Sequence, residues 1–137
     1  MTRFRTILFM LLAAVLGACM NVNDPDKLKQ IQTLDLCESY YFATRPASGR
    51  IDNSWPDKNL AIKKELERRN VVTPAEWISI DHGQIQEGSS ECALRAAWGF
   101  PQRVDRAATN AGNTAHYVYS QVRYADLVNG KVTVFKY

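Results

Sequence analysis

The chain has 137 residues, too few for several ordinary domains but enough for one domain with a modest hydrophobic core. Lys and Arg number 17 against 14 Asp and Glu, a formal net charge of +3, yet Arg3 and Arg5 at the very start supply two of those charges. The remainder of the chain is nearly neutral, so the basic balance gives no ground for nucleic-acid binding, which needs a clustered basic face.

Arg3 and Arg5 lead into an uninterrupted apolar run, Ile7 to Leu16, that ends in small residues. That is the layout of a secretory signal peptide over residues 1–18, too short for a permanent membrane-spanning helix. The junction Leu16-Gly17-Ala18-Cys19 resembles the lipobox of bacterial lipoproteins. By that resemblance Cys19 receives a diacylglyceryl group, the chain is cut before it, and the new amino end is acylated, as with palmitate. Met20 stands where an inner-membrane retention signal usually carries aspartate, so the implied location is the outer membrane, facing the periplasm. Residues 19–32 are largely polar and read as a tether, with Leu28 and Ile31 too few to pin a helix that Asp24-Pro25 could start.

If lipidation uses Cys19, then Cys37 and Cys92 remain in a compartment where disulfides persist. A bridge between them and a pair of buried free thiols are both open on the sequence alone. His82 and His116 share no ligand-type spacing with a cysteine or with each other, so no metal site is expected.

Residues 33–137 read as a single α+β domain. Thr33 to Phe42 predicts a short helix with Leu34, Cys37 and Tyr41 on one face, broken by the loop Arg45-Pro46-Ala47-Ser48-Gly49-Arg50. Asp57 to Arg69 is strongly helix-forming, with Ile62 and Leu66 as its inward residues and its charge run as a solvated face. Thr73-Pro74-Ala75-Glu76 is a capping box with proline in the first turn, opening a third helix that stops near Gly83. Asp81-His82 beside it has no nucleophile placed by the sequence to serve, so neither is assigned a catalytic role. Gly88 to Gly99 predicts a helix with a serine cap and small inward residues Ala93, Ala96 and Ala97.

The rest is strand-like. Arg103 to Thr109 reaches a turn at Asn110-Ala111-Gly112-Asn113, Ala115 to Tyr124 alternates with aromatic and β-branched residues, and Asn129-Gly130 between two apolar runs is a strong hairpin signal. Three antiparallel strands are expected, with Tyr117, Tyr119 and Arg123 sharing one face. Tyrosine and arginine are enriched at interface hot spots, which makes these three residues the candidate partner-binding surface. The same spacing allows the opposite orientation, with the tyrosines packed on the helices.

The helix opened by Gly88-Ser89 and closed by Trp98-Gly99-Phe100-Pro101, the strand Tyr117-Val118-Tyr119 and the Asn-Gly hairpin with Lys131-Val132 resemble the SmpA/OmlA (BamE-like) small outer-membrane lipoproteins over Gly88–Tyr137. The resemblance implies helices packed on a three-stranded antiparallel sheet, a fold shared with β-lactamase inhibitor proteins. It implies a scaffold or interaction module in outer-membrane assembly, bound to another envelope protein and needing no cofactor. The alternative is an inhibitor of a periplasmic or extracellular enzyme. No catalytic constellation is legible, so the protein is not read as an enzyme.

Overall fold

The computed structural model describes residues 24–45 and 56–137, with side chains from residue 60 onward in the second segment. Residues 1–18, Cys19 and residues 46–50 of the expected loop lie outside the described residues. Among those described, the architecture is α+β: five helices and a four-stranded antiparallel sheet in two layers. No helix among them is long and apolar enough to cross a membrane.

Helix α1 (Pro25–Gln30) forms within the stretch read as a polar tether. Asp24 caps it, accepting from the Asp26 N–H at 3.0 Å, and Leu28 is buried. The missing anchor is Arg69, which donates to the carbonyls of Leu28 and Ile31, each at 2.8 Å, and so terminates α1 with a cation. Helix α2 (Thr33–Thr44) buries Leu36, Cys37 and Tyr40, while Leu34 and Tyr41 are half-buried. The inward face is therefore rotated from the expected one, although Cys37 points inward as expected. Helix α3 (Pro56–Arg68) buries Ile62 and Leu66 completely.

Helix α4 (Pro74–Asp81) has the full capping box, with Thr73 Oγ1 accepting from the Glu76 N–H and Glu76 Oε2 from the Thr73 N–H. The other oxygen of Glu76 accepts from the Ser90 N–H at 2.5 Å, so one carboxylate ties the starts of two helices together. Burial alone would raise the Glu76 pKa, but the N–H donors of Thr73 and Ser90 hold it below the usual carboxylate range. Helix α5 (Glu91–Trp98) is capped by Ser90 and ends at Gly99. Its residues Ala93, Ala96 and Ala97 are buried, and Cys92 faces Cys37 of α2 at disulfide-forming distance, with Cα atoms 5.4 Å apart.

The strands β1 (Arg103–Thr109), β2 (Gly112–Val118), β3 (Tyr124–Val128) and β4 (Lys131–Lys136) are neighbours in chain order across the sheet. This is one strand more than the three expected. Arg103–Thr109 pairs along its whole length with β2, and the expected strand from Ala115 to Tyr124 is broken at Ser120. There the N–H groups of Tyr119 and Ser120 both donate to the Arg123 carbonyl, and Ser120 Oγ accepts from the Arg123 N–H at 3.0 Å. A serine hydroxyl thus closes a turn that carries no Gly, Pro or Asn to announce it. The second hairpin is as expected, with Asn129 at φ 50° and Gly130 at φ 76°. Ala115, Tyr117, Ala125, Leu127 and Val132 form the inner sheet face, and they share one buried cluster with the helices.

Candidate functional site

Tyr117, the first of the three expected docking residues, has no exposed surface. It lies on the helix-facing side of β2, so its assignment to an exposed docking face is corrected. Its hydroxyl is bonded to the Glu91 carboxylate and accepts from Arg106 at 2.8 Å and Arg95 at 3.3 Å. Arg95 in turn pairs with Glu38 on α2, and Arg106 with Glu91 at 2.5 Å. Burial and the adjacent Glu91 raise the Tyr117 pKa, keeping the phenol protonated, and burial also raises that of Glu38 against the pull of Arg95. Every charge in this network has an opposite partner. Its chemistry is cohesion: it joins α2, α5, β1 and β2.

Tyr119 and Arg123 come together elsewhere, at the end of the molecule where α2 and α5 finish. The turn that breaks the strand fixes the Arg123 backbone, and its guanidinium folds back over Trp98, with Cζ 4.1 Å from the ring centre. Trp98, the last residue of α5, is buried, and both Tyr119 and Tyr137 meet it edge-on at 5.3 Å. Gly99 comes next at φ 79°, and a Cβ there would sit 2.6 Å from the Tyr41 ring, so only glycine lets the ends of α2 and α5 approach this closely. Beside them in the chain are side chains that water reaches freely: Phe42 follows Tyr41, Phe100 follows Gly99 and Val122 precedes Arg123, and with Tyr137, whose ring meets Trp98, they are 59%, 67%, 61% and 56% exposed. Large apolar side chains left in solvent beside this aromatic group are the kind of surface that a binding partner would cover.

Arg45 closes the other side of this end. It is buried, and donates to the carbonyls of Ile80 at 2.7 Å and Ala96 at 3.2 Å, so one cation serves the C-termini of α4 and α5. Its guanidinium also lies over the Tyr41 ring at 5.0 Å. Burial lowers the pKa of both Arg45 and Arg123. Sequence reasoning found Tyr119 and Arg123 but missed Tyr41, Phe42, Trp98, Phe100 and Tyr137, which come from separate parts of the chain. The signal that touched two of them was the run Trp98-Gly99-Phe100-Pro101, read as a helix end and as part of the family resemblance and not as a surface.

A second feature lies on the α1 side. A groove of about 370 Å³ between α1 and α3 is lined by Leu28, Leu60 and Ala61 with Lys29, Lys64 and Arg68 at its margin. Among the described residues, no group of three or more His, Cys, Asp or Glu side chains comes together that could hold a metal ion. Asp81 accepts from the buried Tyr40 hydroxyl at 3.1 Å, and the exposed His82 ring bonds the Ile78 carbonyl. His116 pairs with Asp126 across the outer face of the sheet at 2.5 Å. No family model matches the chain, and comparison with curated proteins and with solved structures found no significant match.

Proposed function

We propose that this protein is a lipid-anchored interaction module of the bacterial envelope. In this reading it is held to the periplasmic face of the outer membrane through Cys19, and it docks another envelope protein through the aromatic end around Trp98 and Phe100. The observation that carries the reading is the exposure of Phe42, Phe100, Val122 and Tyr137, each in or next to a segment that holds the buried Trp98, the ring of Tyr41 or the stacked Arg123. Two further features agree with it. The leader and the Leu16-Gly17-Ala18-Cys19 junction supply the anchor, and the Cys37–Cys92 pair suits an oxidising compartment. The chain leaves the tether at α1, and α2 then carries it 12 residues, about 18 Å, to the aromatic end. The docking surface is thereby held away from the lipid. A role in outer-membrane assembly, implied by the BamE-like resemblance, is the narrower form of the same proposal.

The test is photo-cross-linking in intact cells from Phe100 and Phe42, with the equally exposed Ile78 on α4 as control. One defined adduct from the first two positions and none from Ile78 supports docking at this end. No adduct, or the same adducts from all three, refutes it. If the adduct is a hydrolase rather than an assembly subunit, the inhibitor reading replaces the scaffold. Cys19→Ala should move the protein from the membrane fraction to the soluble periplasm, and a protein that stays membrane-bound refutes the anchor.

A further inference from the structure

We propose that the free edge of β1 is a self-association site, where a second copy of this chain pairs antiparallel about a twofold axis at Val104 and joins the two sheets into one. This surface is separate from the aromatic end and gives the domain a second place to bind.

The first argument is an asymmetry between the two sheet edges. An edge strand turns unpaired N–H and C=O groups outward, and natural proteins blunt such edges with covering segments, lysines and bulges. Strand β4 has all three. The Gly88 N–H donates to the Val132 carbonyl, the Val132 N–H to the Ser89 carbonyl and the Glu91 N–H to the Gly130 carbonyl. Lys131 and Lys136 are exposed, and the register shifts where Asp126 pairs with Val134 and Leu127 with Val132. Strand β1 has none of these. Its seven residues include no lysine or proline and pair with β2 without a shift, and among the described residues only β2 hydrogen-bonds their backbone. Apart from the half-buried Val104 they are all exposed, so the edge is accessible to a second strand.

The second argument is that this edge complements itself in one register. Directly opposite residues of an antiparallel pair share a face, so a twofold axis perpendicular to the sheet places one residue of β1 opposite its own copy. Centring on Arg103, Asp105 or Arg106 sets like charges against each other at the axis, which is destabilising. Centring on Val104 sets Arg103 opposite Asp105 of the second copy, and Asp105 opposite the Arg103 of that copy. Within one copy these two side chains already bond at 2.8 Å and are 65% and 57% exposed, so pairing makes four alternating charges on the outer face. Val104, which packs on the core from the helix-facing side, meets its own copy there. Arg106, already paired with Glu91, falls opposite the uncharged Gln102. Centring on Ala107 avoids like charges but gains no ion pair and only two methyl groups at the axis.

The third argument is that the helices permit the pairing. They stack outward from the sheet, α5 on β4, α2 on α5, α3 on α2 and α1 on α3. An axis perpendicular to the sheet keeps the helices of both copies on one side, so both α1 segments, where the tethers end, stay on that side and two chains anchored in one membrane can pair. The contact is isologous and uses both β1 edges, which leaves only the blunted β4 edges outside and stops the assembly at two.

The experiment uses the full-length protein purified in detergent, with Val104→Cys and Ala107→Cys made separately, oxidised gently and run on a non-reducing gel beside the natural protein as blank. Detergent keeps the chain dispersed with or without a lipid on Cys19, so failure of the anchor and failure of this pairing are told apart. Val104→Cys should give a covalent dimer as its main product, because the two thiols meet at the axis. Ala107→Cys should give little, since three residues of strand on each side put its thiols about 20 Å apart. Adding Arg103→Asp to Val104→Cys sets carboxylates against each other at both ion pairs and should lower the dimer yield about tenfold, and adding Asp105→Arg as well should restore it. If Val104→Cys does not fold, sedimentation of the natural protein decides: a dimer that Arg103→Asp converts to monomer supports the proposal, and a monomer overturns it. No covalent dimer from a folded Val104→Cys, equal cross-linking at the two positions, cross-linking through Ala107→Cys alone, or a dimer indifferent to Arg103→Asp likewise overturns it.

Discussion

Opening the Cys37–Cys92 bridge should lower stability by about 4 kcal/mol, and the figure comes from chain length. The two residues are 55 apart in sequence, and closing a loop of that size removes about 14 cal/mol/K from the unfolded chain in the entropy model, or about 4 kcal/mol at 25 °C. Little of this is offset in the folded state, because both cysteines are buried and the reduced thiols would remain as small apolar fillers between α2 and α5. Domains are stable by about 5–15 kcal/mol in total, so the reduced protein should sit close to its margin. The assay is guanidinium denaturation with and without reductant. With a slope of about 3–4 kcal/mol/M, the midpoint should fall by about 1 M. Thiol titration of the unreduced, denatured protein checks the premise. Two free thiols from Cys37 and Cys92, or a midpoint that reductant leaves in place, would refute the reasoning.

Glu76→Gln keeps the shape of the side chain but leaves one acceptor oxygen for two N–H donors, Thr73 and Ser90. It should cost about 2–3 kcal/mol, read as a thermal midpoint lower by roughly 10 °C, and an unchanged midpoint would show that the shared cap does not join α4 to α5. Acid should free α1 before it unfolds the sheet. The Arg68 guanidinium chiefly, against burial and with help from Arg69, holds the Glu65 carboxyl down to about 2. A depressed carboxyl stabilises above its unfolded pKa of about 4.3 and loses that contribution as pH falls through the folded value, here between about pH 4 and 2. Since Glu65 orients Arg69 toward the carbonyls of Leu28 and Ile31, amide protection in α1 should fall across that window, and protection that persists at pH 2 refutes the link.

The elements with local chemistry were legible in the sequence, and those made by distant side chains were not. The capping box at Thr73-Glu76, the Ser90 cap with Gly99, and the Asn129-Gly130 turn each place their donors and acceptors within a few residues, and all three stand where expected. The Tyr119–Arg123 turn depends on one serine hydroxyl, and serine is common enough in strands to carry no warning. Likewise α1 exists because an arginine 38 residues after Ile31 supplies its terminal acceptors with a cation. The orientation of Tyr117 turned on which sheet face the helices cover, and a period of two cannot choose between faces. The choice was made by α5, whose small residues let it lie against the Tyr117 side while Glu91 and Arg95 met the phenol.

The candidate docking end is assembled from four places in the chain, yet each is fixed by contacts that a surface loop would not have. Cys37 ties the middle of α2 to α5, and Arg45 ties its end to the carbonyls of Ile80 and Ala96. Gly99 seats Tyr41 against the end of α5, and the Ser120 turn locks Arg123 over Trp98. Ordering side chains and loops on binding costs about 0.5–1.5 kcal/mol for each immobilised side chain, and here most of that ordering is complete before a partner arrives. The bridge and the buried Arg45 therefore bear on binding as well as stability. Loosening either should raise the off-rate of a partner without removing a single residue that touches it, because the contact side chains would have to be ordered in the complex instead of in the fold.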